Sequence, residues 1–554
     1  MPIAALTEQL YVSSQLQPEH LDEVVRLGVT TLICNRPDGE SPDQPTHQEI
    51  ALRAQERGLR LHYLPVVTGA VDDASAQAFG DLLRTHPGPV LAYCRSGMRS
   101  TLLWALSDHR VTAEQALLTA RAAGYDLGSI AQRLEQRVAA VDSRTDTRHA
   151  VVIIGGGAAG IATAASLRAR DPKLDVAIID PAEQHYYQPG WTLVGAGVFR
   201  AEQTMRRMAA LIPRGVHWIK AAVAAFHPDQ NAVMLEGCRV VRYEQLVICP
   251  GLQLDWNAIP GLAETLGRNG VTSNYRYDLA PYTWQQVQQL QGGRALFTQP
   301  PMPIKCAGAP QKAMYLSCDH WRRQGRQSQV AAEFYSAGPV LFGVPDYVPA
   351  LMDYVRRYDI ALNFGHTLVA VDGPSRVASF RYVDPQGETQ MLHRPFDLLH
   401  VVPPQKAPDF IRASSLVDAA GWIDVDPGTL QHRRHSNVFS LGDVANTPNA
   451  KTAAAARKQA PVVAHNIVAL RAGQRPAAQY DGYGSCPLTV ERGKIVLAEF
   501  AYGGALKPSF PAWMLDGRRP TRRAWWLKER MLPPLYWQGM LKGREWLAKP
   551  ELVG

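Results

Sequence analysis

Two cysteines in this chain stand where a thiol can do chemistry. Cys306 lies in Lys305-Cys-Ala-Gly-Ala-Pro310-Gln-Lys-Ala, just ahead of a helix that Pro310 opens. The helix dipole and the neighbouring Lys305 ammonium both favour a thiolate there. Cys94 ends the apolar run Pro89-Val-Leu-Ala-Tyr93, and Arg95-Ser-Gly-Met-Arg99-Ser-Thr leads on into the helical Leu102-Leu-Trp-Ala-Leu. A cysteine on a strand-to-helix loop faces backbone N–H groups and a helix N-terminus, which favour a thiolate and bind an anion. Arg95 and Arg99 add positive charge. A third cluster has no nucleophile. The strand Val151-Val-Ile-Ile runs into Gly155-x-Gly157-x-x-Gly160, a helix-like Ile161-Ala-Thr-Ala-Ala-Ser-Leu-Arg follows, and a second strand, Val176-Ala-Ile-Ile, ends on Asp180. The first two glycines let the backbone turn tightly and approach a pyrophosphate. The third lets helix pack on strand, and Asp180 can hold a ribose hydroxyl.

These residues need an α/β framework. In the first 140 residues, Thr30–Cys34, Leu59–Val67 and Pro89–Tyr93 read as strands alternating with helices. Asp72 and Asp73 are general-acid candidates, with a polar loop or a helix cap as the more ordinary reading. The polar stretch 141–149 reads as a linker, 150–510 as the dinucleotide-binding region, and 511–554 as a separate tail. At 554 residues the chain has room for several domains. Net charge is +8, with the basic excess concentrated at the end. That favours a local anionic partner over a nucleic-acid-binding surface. The seven cysteines (34, 94, 238, 249, 306, 318 and 486) show no CxxC pair and no metal-ligand spacing. Their spread points to a reducing compartment, and no metal is expected. No signal peptide or transmembrane run is apparent.

The C-x4-R loop of Cys94 is one residue shorter than the C-x5-R phosphate loop of tyrosine phosphatases. It resembles rhodanese, whose cysteine carries a sulfane sulfur. With Asn35-Arg-Pro-Asp-Gly-Glu40, it makes residues 3–137 similar to a bacterial phosphatase-like family linked to sulfur transfer. The resemblance leaves open whether this domain handles sulfur or phosphate.

From residue 150 the chain resembles flavoproteins with two Rossmann-like domains. The resemblance assigns Gly442-Asp443, after the strand Asn437-Val-Phe-Ser, to the ribityl chain of FAD. It assigns Val247-Ile-Cys-Pro-Gly251 to the turn that closes the FAD domain, and Lys451-Thr452 to the start of a helix aimed at the flavin pyrimidine. A relative that uses NADH would carry a second glycine fingerprint near 295–315. Here Ala295-Leu-Phe-Thr-Gln-Pro-Pro-Met-Pro replaces it. More specifically, 150–554 resembles the sulfide:quinone oxidoreductases. His185-Tyr-Tyr-Gln-Pro-Gly-Trp, Lys305-Cys-Ala-Gly-Ala-Pro-Gln-Lys312, Lys451-Thr-Ala-Ala-Ala455 and Tyr480-Asp-Gly-Tyr-Gly-Ser-Cys-Pro-Leu488 carry the match.

That family implies FAD, sulfide as reductant, a membrane quinone as oxidant and a cysteine persulfide. Sulfide would attack at Cys306, with Lys305 and His432 as acid–base candidates. The family's second redox cysteine follows the Gly-Asp pair, where this chain has Val444. Cys306 then acts alone or pairs with Cys486 or Cys249. Sulfane sulfur would pass to a small thiol such as glutathione, or on to Cys94. The rival readings are an NAD(P)H-dependent flavoprotein (a type II NADH dehydrogenase or a disulfide reductase) and a non-catalytic sulfide sensor.

The tail explains access to a quinone. Arg518–Lys549 holds nine Lys or Arg against two Glu, and five of the twelve tryptophans lie in the last 42 residues. Thr521–Leu532 reads as one helix with Ala524, Leu527 and Met531 on a face, broken by Pro533-Pro534. Basic residues interleaved with Trp, Leu and Met suit an element lying on an anionic membrane surface. The expected location is the cytoplasmic face of the inner membrane, with the oligomeric state open.

Overall fold

The computed structural model describes residues 3–86, 88–108, 111, 113–131, 133–134, 147–236 and 239–553. Cys238 and residues 141–146 of the expected linker lie outside them. The chain divides into two compact units, Met1–Thr147 with Val223–Arg242, and Arg148–Ala222 with Tyr243–Gly554.

In the first unit a five-stranded sheet runs in the order Ile3–Thr7, Leu10–Ser13, Val90–Tyr93, Thr31–Cys34, Arg60–Tyr63. Only the first pair is antiparallel. Val90–Tyr93 and Thr31–Cys34 are buried at every position, as unbroken apolar runs in a helix-covered parallel sheet should be. Arg60–Tyr63 stops short of Val67 because Pro65 has no N–H to donate. Asp72 caps the helix Asp73–Thr85 by accepting from Ser75 N–H at 2.8 Å, and Asp73 pairs with Arg133. Both aspartates are therefore structural.

The second unit carries two mainly parallel sheets. In one, Val216–Ile219, Val176–Ile179, Thr147–Ile154 and Val240–Ile248 lie side by side, and Val438–Ser440 adds to the last. The helices Ala158–Arg170 and Ala453–Arg471 pack over them in a shared core. In the other, the order is Val271–Thr272, Leu398–His400, Gly293–Gln299, Val330–Ser336, Ala361–Phe364. The hairpin Gly484–Glu491/Lys494–Phe500 lies against the helix Ala309–Arg323.

The C-terminal segment differs from the expected tail. The helical run from Arg522 to Lys542 passes through Pro533-Pro534 without breaking. Wide turns at Leu527–Met531 and Leu535–Gly539 flank the prolines and absorb their missing N–H groups and ring bulk. A wide turn also rotates the helix face. Ala524 and Lys528 are consequently buried, while Met531 is exposed. Tyr536, Trp537, Met540 and Leu541 belong to the core of the first sheet, so the segment is not a detachable tail. No described helix is long and apolar enough to cross a membrane.

Candidate active site

Two glycines of the turn leave no room for side chains. At Gly155 (φ +102°) a Cβ would lie 2.6 Å from the Cys249 carbonyl oxygen, and at Gly160 it would lie 1.9 Å from that of Gly155. Gly157 opens into free space at the start of the helix Ala158–Arg170. Its N-terminus and the Asp180 carboxylate border a cavity of about 490 Å³ within the second unit. Asp180 accepts from Gly156 N–H at 2.6 Å and Ala182 N–H at 2.7 Å, which fixes it at the rim.

Gly251, Gly442, Asp443, Lys451 and Thr452 line the same cavity. Gly251 and Gly442 take positive φ (+81° and +77°), and Thr452 caps the helix Ala453–Arg471 through Ala455 N–H. Lys451 donates to the carbonyls of Asp443 (2.6 Å) and Ala445 (2.9 Å). Burial lowers its pKa to about 8, partly offset by Asp443. Burial raises the Asp443 carboxyl, with Lys451 and Lys305 opposing. A long cavity lined by a pyrophosphate-sized glycine turn, a ribose-facing acid and a second helix N-terminus fits a flavin dinucleotide.

Cys306 lies on the cavity wall and Cys486 is buried beside it. Cys306, at φ +49°, lies in the loop 300–308 that separates Gln299 from the helix at Ala309. Its backbone N–H donates to the Lys451 carbonyl at 2.8 Å, and Tyr275 O–H donates to the carbonyls of Lys305 and Cys306. Its sulfur lies 4.0 Å from that of Cys486 and accepts from Lys312 Nζ at 3.2 Å. Gly308 permits this: a Cβ there would sit 2.5 Å from the Cys486 sulfur. The hydrogen bond from Cys486 and the Lys312 ammonium, outweighing burial, hold Cys306 well below the usual thiol range. The same bond and burial push Cys486 up.

Of the two partners the sequence left open, the structure therefore brings Cys486 to Cys306. Cys249 packs under the glycine turn, 3.8 Å from the Gly155 carbonyl, with its thiol pushed up by burial. Val444 is fully buried, and Cys318 is buried along the helix after Cys306.

The expected activating cation also changes. Lys305 donates to Gln188 at 2.6 Å and not to Cys306. Lys312, one turn into the helix, takes that place, because the left-handed backbone at Cys306 turns its sulfur toward the helix. His432 is buried with its ring bonded to Leu416, Arg434 and His435, away from the cavity lining. Lys528 was missed. It belongs to the C-terminal segment, is 5% exposed, and lines the cavity. Burial and Lys312 lower its pKa to about 7, while Cys306 and Cys486 pull it back up. A lone lysine in a basic stretch carries no sequence signal for this role.

In the first unit, the Cys94 loop is tighter than expected. Gly97 N–H donates to the Cys94 sulfur at 3.1 Å. Arg99 is held two-pronged by Glu40 at 2.6 and 2.8 Å, so its charge is already paired, and Arg95 is exposed. Gly97 (φ +93°) packs under the Tyr125 hydroxyl. Cys94 itself is 1% exposed.

Fold and site together define a two-domain oxidoreductase that joins a dinucleotide cradle to a dithiol. Residues 149–283 match the pyridine nucleotide-disulphide oxidoreductase family, and residues 3–111 match the phosphatase-like domain of beta-lactamase hydrolase-like proteins. The mitochondrial sulfide:quinone oxidoreductase of Mus musculus is 40% identical over 71% of this chain and 86% of its own length. That of Dictyostelium discoideum is 41% identical over 73% and 88%. The chain belongs to the sulfide:quinone oxidoreductase family. The solved sulfide:quinone oxidoreductase of Aquifex aeolicus shares the fold at TM-score 0.59 and 20% identity, covering 72% of this chain and 92% of its own. The chain is also similar over 140 residues to a beta-lactamase hydrolase-like protein of Xylella fastidiosa, 34% identical over 25% of this chain and 32% of that protein.

Proposed function

We propose that the protein oxidises sulfide at a Cys306–Cys486 pair and sends the electrons through FAD to a membrane quinone. The observation that carries this reading is the 4.0 Å approach of the two sulfurs beside Lys312, with Cys306 and Lys312 on the wall of the dinucleotide cavity. The activity is the one for which the mouse and Dictyostelium relatives are named. Bound FAD supplies a two-electron relay between dithiol and quinone. Gly155, Gly157, Gly160, Asp180, Gly251, Gly442, Asp443, Lys451 and Thr452 would hold it.

The chain's own chemistry follows from the unequal thiols. Thiol–disulfide exchange expels the sulfur of lower pKa more readily. Hydrosulfide therefore attacks Cys486 of the oxidised pair, in place of the attack at Cys306 read from sequence. A bond forms between the sulfide sulfur and Cys486, the Cys306–Cys486 bond breaks, and its electron pair stays on Cys306 as thiolate. Lys312 stabilises that charge. Lys528 loses its proton near neutrality and can take the hydrosulfide proton. A small thiol then removes the outer sulfur of the Cys486 persulfide. The pair is left two electrons richer, ready for reoxidation.

The membrane reading rests on the outer side of the C-terminal segment and the chain before it. Trp513, Trp526, Met531, Trp546 and Leu547 are exposed beside Arg522, Arg523 and Arg530. Apolar rings beside cations suit the interface of an anionic leaflet. The Cys94 loop offers the sulfane sulfur a second destination, reached through the small thiol. Peptide mapping of oxidised protein tests the core of the proposal: a Cys306–Cys486 cross-link is expected, and free thiols at both positions after complete oxidation would refute it.

A further inference from the structure

A second cluster of ligating groups lies in the second unit, apart from the cavity. His149 belongs to the strand Thr147–Ile154, Asp175 directly precedes Val176–Ile179, and His217 is the second residue of Val216–Ile219. These are three adjacent parallel strands in fixed register, with Val151 opposite Val176 and His217 opposite Ala177. The three residues therefore meet at the edge where the strands begin. The glycine turn and Asp180 follow the ends of the same strands. Gly155 is six residue steps along the chain from His149, which is roughly 20 Å at about 3.3 Å per residue.

The geometry is that of a coordination site. His149 Nδ1 lies 3.0 Å from one Asp175 oxygen and 3.1 Å from the other. His217 Nε2 lies 3.6 Å from the same Asp175 oxygen. One atom from each residue falls within 4.8 Å of the other two. Ligands about 2.0–2.1 Å from a tetrahedral zinc ion are about 3.3 Å apart, and the two histidine–aspartate separations straddle that value. The two imidazoles are neighbours, tilted by 38° with centroids 5.2 Å apart. His149 is largely covered at 12% side-chain exposure, whereas His217 is 66% exposed. The site is thus anchored on its sheet side and open on the other.

From this we infer that His149, Asp175 and His217 form a binding site for one divalent transition metal of borderline softness, with zinc as the representative ion. Two imidazoles and a carboxylate suit such ions, and disfavour calcium and magnesium, which prefer all-oxygen sets. Backbone pairing holds the three ligands in place before metal arrives, so the ion acts as a clamp across the leading edges of three strands. The cysteine spacing was silent on this site because its ligands are not cysteines. The histidines are 68 residues apart in the chain (149 to 217) and only strand pairing joins them.

The test uses full-length, FAD-loaded protein stripped with chelator and dialysed against Zn²⁺, alongside His217→Ala and Asp175→Asn. We expect one bound zinc in the parent that raises its Tm. Affinity should fall at least tenfold and the Tm shift should vanish in both variants, with sulfide-driven flavin reduction unchanged. Co²⁺ distinguishes this site from the thiols: bands without sulfur-to-cobalt charge transfer are expected, and they should disappear in His217→Ala. If the parent binds no zinc, if the variants bind as the parent does, or if the cobalt spectrum shows only thiolate ligation, the inference is overturned.

Discussion

At the residue scale, the site works through inequality between two sulfurs. Cys306 receives hydrogen bonds from Cys486 and Lys312, whereas at Cys486 the shared bond and burial outweigh the charges of Lys312 and Lys528. An opposite charge within about 4–6 Å lowers a thiol pKa by about 1–3 units. Lys312→Met should therefore move the inflection in the pH profile of Cys306 alkylation upward by about that amount, and an unmoved inflection would remove Lys312 from the account. Lys528 makes a stability prediction. Unfolded, it keeps its proton up to the ordinary lysine value of 10.5, and folded it loses it at about 7. Between these values the unfolded state binds more protons, so this residue makes stability rise with pH across that window. Lys528→Met should flatten the rise and stabilise the protein below pH 7 by an amount of order a few kcal/mol. Denaturant midpoints measured from pH 6 to 10 check both effects.

At the element scale, the glycine fingerprint, the strand before Cys306 and the strand before Asp443 were legible in the sequence because each is a local pattern of strand, turn and helix. The Cys306–Cys486 contact was legible only as one of two candidate pairings, since a loop ahead of a helix and a hairpin strand 180 residues apart create it. The course of the C-terminal segment was misread for a different reason. Two prolines ordinarily stop a helix, but wide turns on either side let this one continue and carry Lys528 inward. Burial of Tyr536, Trp537, Met540 and Leu541 contributes about 1.5–3 kcal/mol each. Together that is comparable with a domain's whole margin of about 5–15 kcal/mol. Truncation after Gly517 should therefore cost FAD retention and solubility, contrary to the behaviour of a free tail. Intact, soluble, flavin-loaded protein after that truncation would contradict the packing. Trp526→Ser with Trp546→Ser, both at exposed positions, should weaken sedimentation with anionic vesicles and spare flavin reduction. Unchanged sedimentation would sink the membrane reading.

At the scale of the whole molecule, one chain joins a sulfide-oxidising flavoprotein to a cysteine-loop domain. The Cys94 loop was legible as a thiol-bearing turn. The pairing of Arg99 with Glu40 was not, because Glu40 lies on a separate loop 59 residues away. If sulfane sulfur reaches Cys94, then Cys94→Ser should leave sulfide-driven flavin reduction intact and remove cyanide-labile sulfur from the first 140 residues. Equal labelling in both proteins would end the transfer idea.

The central claim is that Cys486 takes the place of the cysteine replaced by Val444. Anaerobic mixing with sulfide, followed at the oxidised-flavin absorbance and completed by addition of a soluble quinone, tests it directly when the parent and Cys486→Ser are compared. The account predicts bleaching and quinone-driven recovery in the parent, and no bleaching on the same timescale in Cys486→Ser with its FAD still bound. Bleaching of Cys486→Ser at the parent rate would contradict it.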